Sequence, residues 1–133
     1  MKYILDTNII SFLVRGKYPA ILEHLRHCSP TNIFIPTVVM AELEFGASNS
    51  SNYERTISAI HHYTDAFKKL PFDETACKIY GQIRAELKSK GQMIGANDLL
   101  IAAIAISSDA TLITNNTQEF SRIASLTIED WTE

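Results

Sequence analysis

Three carboxylates that lie far apart along the chain share an unusual setting. Asp6 directly follows the apolar residues 3–5, Glu42 lies within the mostly apolar "TVVMAELEFGA", and Asp98 precedes the apolar "LLIAAIAI". An ionised carboxylate near a core is costly unless something pairs with it. Three such charges in one cleft would raise each other's pKa values, and a divalent cation removes that difficulty. Because Mg²⁺ and Mn²⁺ prefer carboxylate oxygens and water, we predict a metal site built from these three residues.

Each of these acids also has an ordinary structural explanation. Asp98 is a suitable helix cap, and Asp6 is suited either to a turn or to the cap of the following helix. Glu42 would also be explained by exposure to solvent or by pairing with a lysine, and we expect the nearby Glu44 to be the solvated acid. The metal hypothesis therefore depends on the coincidence of all three signals rather than on any one of them.

Two amides occupy a position similar to that of Asp6. Asn115 and Asn116 follow the segment "TLIT", as Asp6 follows the first apolar run. In open α/β sheets, ligands bind beyond the carboxyl ends of the strands. If both segments are strands of one parallel sheet, these polar residues meet at one edge.

The elements that must position these side chains alternate between strands and helices. Short apolar runs predict strands at 3–5, 33–35, 69–72, 111–114 and 126–130. Helical periodicity predicts helices at 8–14, 19–27, 36–47, 53–68, 73–91, from 97 or 98 onward, and at 118–123. The helix that follows Asn97 is apolar on every side, which indicates central burial. The alternation favours an α/β domain spanning 1–133, with a mainly parallel sheet of four to five strands covered on both faces.

Composition restricts the class of protein. The chain has 133 residues, is 46% hydrophobic and carries a formal net charge of −3, which disfavours a general nucleic-acid coat protein. No stretch approaches the roughly 20 apolar residues that cross a membrane, and the N-terminus lacks the apolar core of a secretory signal. The two cysteines are too few for a disulfide framework, so we expect a cytoplasmic protein without membrane contact.

Four segments carry a resemblance to a known family. "YILDTNII", "TVVMAELEFGA", "IGANDLLIAAIA" and "TLITNNTQEF" resemble, in order and spacing, the motif blocks of PIN-domain ribonucleases, and in particular VapC-type toxins of bacterial toxin–antitoxin modules. The resemblance covers nearly the whole chain and implies a three-layer α/β/α PIN-like fold. It also implies an acidic site of Asp6, Glu42 and Asp98 that binds Mg²⁺ or Mn²⁺. The family's fourth catalytic position, often Asp, falls on Asn116, whose neutral amide implies a weaker second metal site.

The resemblance extends to the residues around the acids. It implies that a surrounding shell holds the carboxylates by hydrogen bonds, and it leaves Glu119 as a possible distant contributor. We expect this shell to consist of Thr7, Asn8, Thr114 and Asn115. The basic residues that border the active-site blocks are candidate RNA contacts, although charges on helices are commonly just solvated. These candidates are Arg15, Lys17 and Arg84.

The resemblance further implies a metal-dependent endoribonuclease that cleaves a structured RNA to 5′-phosphate and 3′-hydroxyl ends and so blocks translation. The expected target is a tRNA anticodon loop, with initiator tRNA as the leading candidate. The expected partners are a cognate VapB-type antitoxin, a second toxin chain in a homodimer within a larger complex, and operator DNA only through the antitoxin. Two alternatives remain: a weak or inactive PIN-fold binding module, which Asn116 favours, and a phosphotransfer domain, which the missing Lys near the fourth strand disfavours.

Overall fold

The computed structural model describes residues 1–133 as five strands, seven α-helices and one 3₁₀ turn. The strands are β1 (Tyr3–Leu5), β2 (Ile33–Pro36), β3 (Lys68–Leu70), β4 (Thr111–Ile113) and β5 (Ile128–Glu129). The helices are α1 (Thr7–Val14), α2 (Pro19–Arg26), α3 (Thr37–Ser48), α4 (Tyr53–Thr64), α5 (Glu74–Ser89), α6 (Ala96–Ser107) and α7 (Thr117–Phe120). None of these helices combines the length and the apolar character that a membrane crossing requires.

The five strands form one parallel sheet in the order β3-β2-β1-β4-β5. The central strand β1 places Ile4 opposite Phe34 of β2 on one side and opposite Leu112 of β4 on the other. Along the chain, β2 and β3 are thus added on one side of β1, and β4 and β5 are added later on its other side. A crevice forms where the strand order reverses, beyond the carboxyl ends of β1 and β4.

The core surrounds this central part of the sheet. All three residues of β4 are buried, and because successive side chains point to opposite faces, both faces of the sheet are covered. In α6, five consecutive residues, Ile101 to Ala105, are at most 1% exposed. The prediction of a centrally buried helix is therefore confirmed, as is the α/β fold with its parallel sheet.

One helix is shorter than the sequence predicts. The expected helix at 53–68 ends at Thr64, and Lys68 already belongs to β3. The Thr64 hydroxyl donates to the carbonyl of Ile60, and the Lys69 ammonium donates to the carbonyls of Thr64 and Phe67. These bonds satisfy the carbonyls at the end of the helix. The residues that follow form β3 by pairing with β2 and therefore do not continue the helix.

Candidate active site

Asp6 is held at the end of β1 by hydrogen bonds to both of its carboxylate oxygens. Its Oδ1 accepts from the backbone N–H of Thr7 at 2.8 Å and thereby caps α1, while its Oδ2 accepts from the Thr114 hydroxyl at 2.8 Å. The side chain is only 5% exposed. Burial is the main cause that raises the pKa of Asp6, and the negative charge of Glu42 raises it further.

Glu42 reaches the same region from α3. The Thr7 hydroxyl donates to its Oε1 at 2.6 Å, so one threonine contacts both acids, Asp6 through its backbone and Glu42 through its side chain. Glu44 lies two residues further along and instead accepts from the Tyr53 hydroxyl at 2.7 Å. Glu44 is therefore not simply the solvated acid that the sequence predicts, because it is only partly exposed and is bonded to Tyr53.

Asp98 does not cap its helix. α6 begins at Ala96 after Gly95, and Asp98 is the third helical residue. The pKa of Asp98 is raised to about 6, first by burial and then by the negative charges of Asp6, Glu119 and Glu42. This carboxylate is therefore close enough to the other acids for their charges to disfavour its ionised form.

Glu119 lies closer to the other acids than the resemblance implies. It lies in the short helix α7, and its negative charge is one of the causes that raise the pKa of Asp98. Its Oε2 also accepts from the Asn116 side-chain amide at 3.3 Å. The sequence carries a signal only for the contact between Asn116 and Glu119, because residues three apart on a helical turn share a face.

The threonine that follows β4 links two parts of the site. The Thr114 hydroxyl donates to Asp6 and accepts from the backbone N–H of Asn116 at 3.0 Å. Its role in orienting Asp6 is thus visible in the geometry. Asn8 is exposed on α1, and the side-chain oxygen of Asn115 is buried with no hydrogen-bond partner. Neither asparagine side chain makes a hydrogen bond to a carboxylate, which differs from the shell that the resemblance implies.

The three basic candidates are placed differently. Arg15 is exposed and lines a cavity of about 330 Å³ whose wall also includes Thr7 and Glu42. Lys17 is exposed in the loop between α1 and α2. Arg84 is exposed on α5, where it donates to the Tyr80 hydroxyl at 2.7 Å, and the structure records no contact between Arg84 and the acids.

The donor set fits a hard divalent ion. Asp6, Glu42, Asp98 and Glu119 are electrostatically coupled, and no Lys or Arg is among the groups that shift the pKa of Asp6 or Asp98. No three of the chain's His, Cys, Asp or Glu side chains converge closely enough to hold an ion directly. Mg²⁺ commonly binds proteins through only one or two carboxylates and keeps several waters, so this looser spacing suits it.

Comparison with known proteins identifies the family. The PIN domain family matches residues 3–126, and therefore nearly the whole chain. The protein belongs to the PIN-domain family. The chain is 41% identical over 134 residues to Ribonuclease VapC1 of Haemophilus influenzae, with 100% of both chains covered. It is 37% identical over 131 residues to the tRNA(fMet)-specific endonuclease VapC of Shigella flexneri, with 98% of both chains covered.

A solved structure gives the same result for this PIN domain. The crystal structure of VapBC2 from Rickettsia felis, bound to a DNA fragment from their promoter, matches with a TM-score of 0.93 and 38% identity. The match covers 98% of this chain and 99% of the other. Within the PIN-domain family the chain therefore belongs to the VapC ribonucleases, which confirms the resemblance of the four sequence blocks and the expected fold.

Proposed function

We propose that this VapC protein is the toxin of a toxin–antitoxin pair and a Mg²⁺- or Mn²⁺-dependent endoribonuclease. The observation that carries the proposal is the grouping of acids at the crevice beyond β1 and β4. Thr7 bonds both Asp6 and Glu42, and the charges of Asp6, Glu42 and Glu119 all raise the pKa of Asp98. Such a group is costly to the folded chain without a cation, which makes a structural role alone a poor explanation of it.

Asp6, Glu42 and Asp98 would hold the ion, one or two of them directly and the others through its bound waters. When bound, the ion supplies a water of lowered pKa and neutralises charge on the scissile phosphate. Thr7 and Thr114 fix the carboxylates that they contact, and the Asn116 amide orients Glu119. Because this chemistry does not need the 2′-hydroxyl as nucleophile, we expect 5′-phosphate and 3′-hydroxyl ends.

The substrate is a single-stranded loop of a structured RNA. The cavity beside Glu42 is open, and an unpaired loop bends into such a site more readily than an A-form helix does. A relative of 37% identity is named as specific for tRNA(fMet). We therefore propose a tRNA anticodon loop, and initiator tRNA first, as the target whose cleavage blocks translation.

The partners follow from the VapBC relatives. A VapBC2 complex similar to this chain was solved with promoter DNA. We propose a cognate VapB-type antitoxin, a toxin homodimer within the larger complex, and operator contact through the antitoxin in the cytoplasm. A toxin chain of net charge −3 is consistent with leaving the DNA phosphates to its partner.

A direct test incubates purified protein with total RNA and Mg²⁺ or Mn²⁺, with and without EDTA. Discrete fragments that require the metal are expected, and sequencing their ends identifies the cleaved RNA. Transcripts of initiator and elongator methionine tRNAs then test the target. Equal cleavage of both would contradict specificity for initiator tRNA while leaving the nuclease intact.

Isosteric variants test the site. Asp6→Asn, Glu42→Gln and Asp98→Asn should each lower cleavage about 100-fold while the protein remains folded, because each removes a charge that holds the ion directly or through a bound water. Glu44→Gln is the matched control, since it makes the same change two residues from Glu42 on a side chain that is bonded to Tyr53. Full activity of Asp98→Asn would show that this residue is not a ligand.

The second candidate is a catalytically weak or inactive PIN module that acts through RNA or antitoxin contacts. The neutral Asn116 at the family's fourth position favours it, because the site then has one charge fewer at that position. The same incubation separates the two candidates. Intact RNA binding without cleavage of any transcript at millimolar Mn²⁺ would support the inactive module.

A further inference from the structure

The loop between α1 and α2 places two cations and an aromatic ring together on the surface. Arg15, Lys17 and Tyr18 are all exposed, and Tyr18 is 36% exposed. The three ion pairs of the chain involve other residues, so neither cation is paired with a carboxylate. Their charge therefore remains available to an anionic ligand.

Aromatic rings hold both cations without neutralising them. The Lys17 ammonium lies 5.0 Å from the Tyr18 ring centroid and 5.4 Å from that of Phe12, and the Arg15 guanidinium lies 5.5 Å from the Phe12 centroid. The two rings meet edge to face at 4.9 Å. Cation–π contacts restrict the positions of long side chains and leave their full positive charge.

The backbone fixes the Tyr18 ring as well. Tyr18 has φ 55° and ψ 80°, a left-handed conformation that is unusual for a bulky residue. Its two chain neighbours are both constrained. The Lys17 N–H donates to the carbonyl of Phe12 at 2.8 Å, and Pro19 is the first residue of α2. Strained residues of this kind occur often at ligand-binding sites, where a fixed geometry is useful.

The loop and the acidic cluster lie at opposite ends of one helix. Asp6 caps the N-terminus of α1. This helix has eight residues and is therefore about 12 Å long. Arg15, at the far end, lines the same cavity as Thr7 and Glu42. A strand of RNA whose scissile phosphate lies at the carboxylates therefore reaches the loop within a few nucleotides.

We propose that residues 15–18 form a platform for single-stranded RNA, in which Tyr18 stacks on a base and Arg15 and Lys17 contact phosphates. This inference rests on the proposed ribonuclease function and specifies how the substrate is held. Aromatic stacking beside a positively charged surface is the combination by which proteins bind unpaired nucleic acid. Charge and ring are both present here, whereas a patch that bound only an acidic peptide would not need the exposed ring.

The test measures binding of a labelled 12-nucleotide oligouridylate by fluorescence anisotropy in EDTA, so that cleavage cannot interfere. Tyr18→Gly removes the ring and suits a positive φ, so the protein should stay folded with an unchanged or higher melting temperature. We expect this variant to bind the oligouridylate about tenfold more weakly, because one base loses its stacking partner. Tyr18→Phe should bind like the unaltered protein.

An abasic strand of the same length separates stacking from charge. Tyr18→Gly should weaken oligouridylate far more than the abasic strand, because Phe12 still holds Lys17 when the Tyr18 ring is gone. Lys17→Ala should weaken both strands. Lys88→Ala, which removes a cation at the end of α5, should weaken neither. If Tyr18→Gly binds oligouridylate normally, or loses both strands equally, the platform is wrong. Because binding is measured without cleavage, a chain that cuts no RNA would fail the ribonuclease test and still give a result here.

Discussion

Asp6 combines two roles that the sequence presents as alternatives. One carboxylate oxygen caps α1 through the Thr7 N–H, while the other is bonded by Thr114 and the side chain stays within the acidic cluster. A carboxylate fixed at both oxygens has little freedom to turn away from the repulsion of its neighbours. The local cap thus helps to preorganise the candidate metal site.

The raised pKa of Asp98 predicts a metal-free stability that falls as the pH rises. The folded-state pKa is about 6, against about 3.9 in the unfolded chain, so the contribution is fully present below pH ~4 and is lost as the pH rises through about 6. Asp98→Asn removes this loss. After allowance for solvent screening of a half-buried group, we expect a gain of about 1 kcal/mol at pH 7.5, or roughly 3 °C.

Thermal unfolding of both proteins in EDTA, at pH 4.5 and pH 7.5, checks this prediction. The difference between Asp98→Asn and the unaltered chain should be small at pH 4.5, where the carboxyl is mostly protonated in the folded state. An equal difference at the two pH values would show that charge repulsion at Asp98 is not its cause.

Thr114 should matter through its single hydroxyl. Thr114→Val keeps the shape but leaves the buried Asp6 Oδ2 without its donor, which should cost about 1.5–3 kcal/mol of unfolding free energy. The Mn²⁺ concentration for half-maximal cleavage should rise about 10-fold or more, because the ligand is no longer oriented. Thr114→Ser restores the donor and should recover metal affinity. Equal Mn²⁺ dependence for Val and Ser would argue against an orienting role.

At the scale of elements, the cap of α5 offers a prediction that is independent of the site. Asp73 Oδ1 accepts from the Ala76 N–H at 2.9 Å, so Asp73→Ala should lower the free energy of unfolding by about 1 kcal/mol. Asp65→Ala is the control, because Asp65 follows the end of α4 and is exposed to solvent. Denaturant unfolding measures both variants. Cleavage should be unchanged in both.

The helices also show which parts of the fold the sequence predicts and which it does not. The all-round apolar character of α6 predicts its burial because nothing local opposes it. The end of α4 is not predictable in this way, since it depends on pairing between β3 and β2, which lie more than 30 residues apart. The coupling of Glu119 to Asp98 likewise depends on the docking of α7 beside α6, which no local pattern records.

At the scale of the whole molecule, the candidate site depends on topology. Its acids come from the loop after β1 and from α3, α6 and α7, four places that only the completed sheet brings together. Residue types and motif order therefore point to Asp6, Glu42 and Asp98. The resemblance also names Thr7 and Thr114 among the neighbours of these acids. Which carboxylate oxygen each threonine contacts becomes visible only in the folded chain.

A divalent ion should stabilise the whole domain, because it binds the folded cluster and not the separated acids of the unfolded chain. At 100 times its dissociation constant the ion adds about 2.7 kcal/mol, a rise in melting temperature of roughly 8 °C at pH 7.5. At pH 5 the rise should be smaller, since protonated Asp98 must release its proton before it can act as a ligand. Scanning calorimetry with Mn²⁺, against NaCl of equal ionic strength, measures the effect. In Asp98→Asn most of the rise should disappear, and an equal rise in that variant would place the ion elsewhere on the molecule.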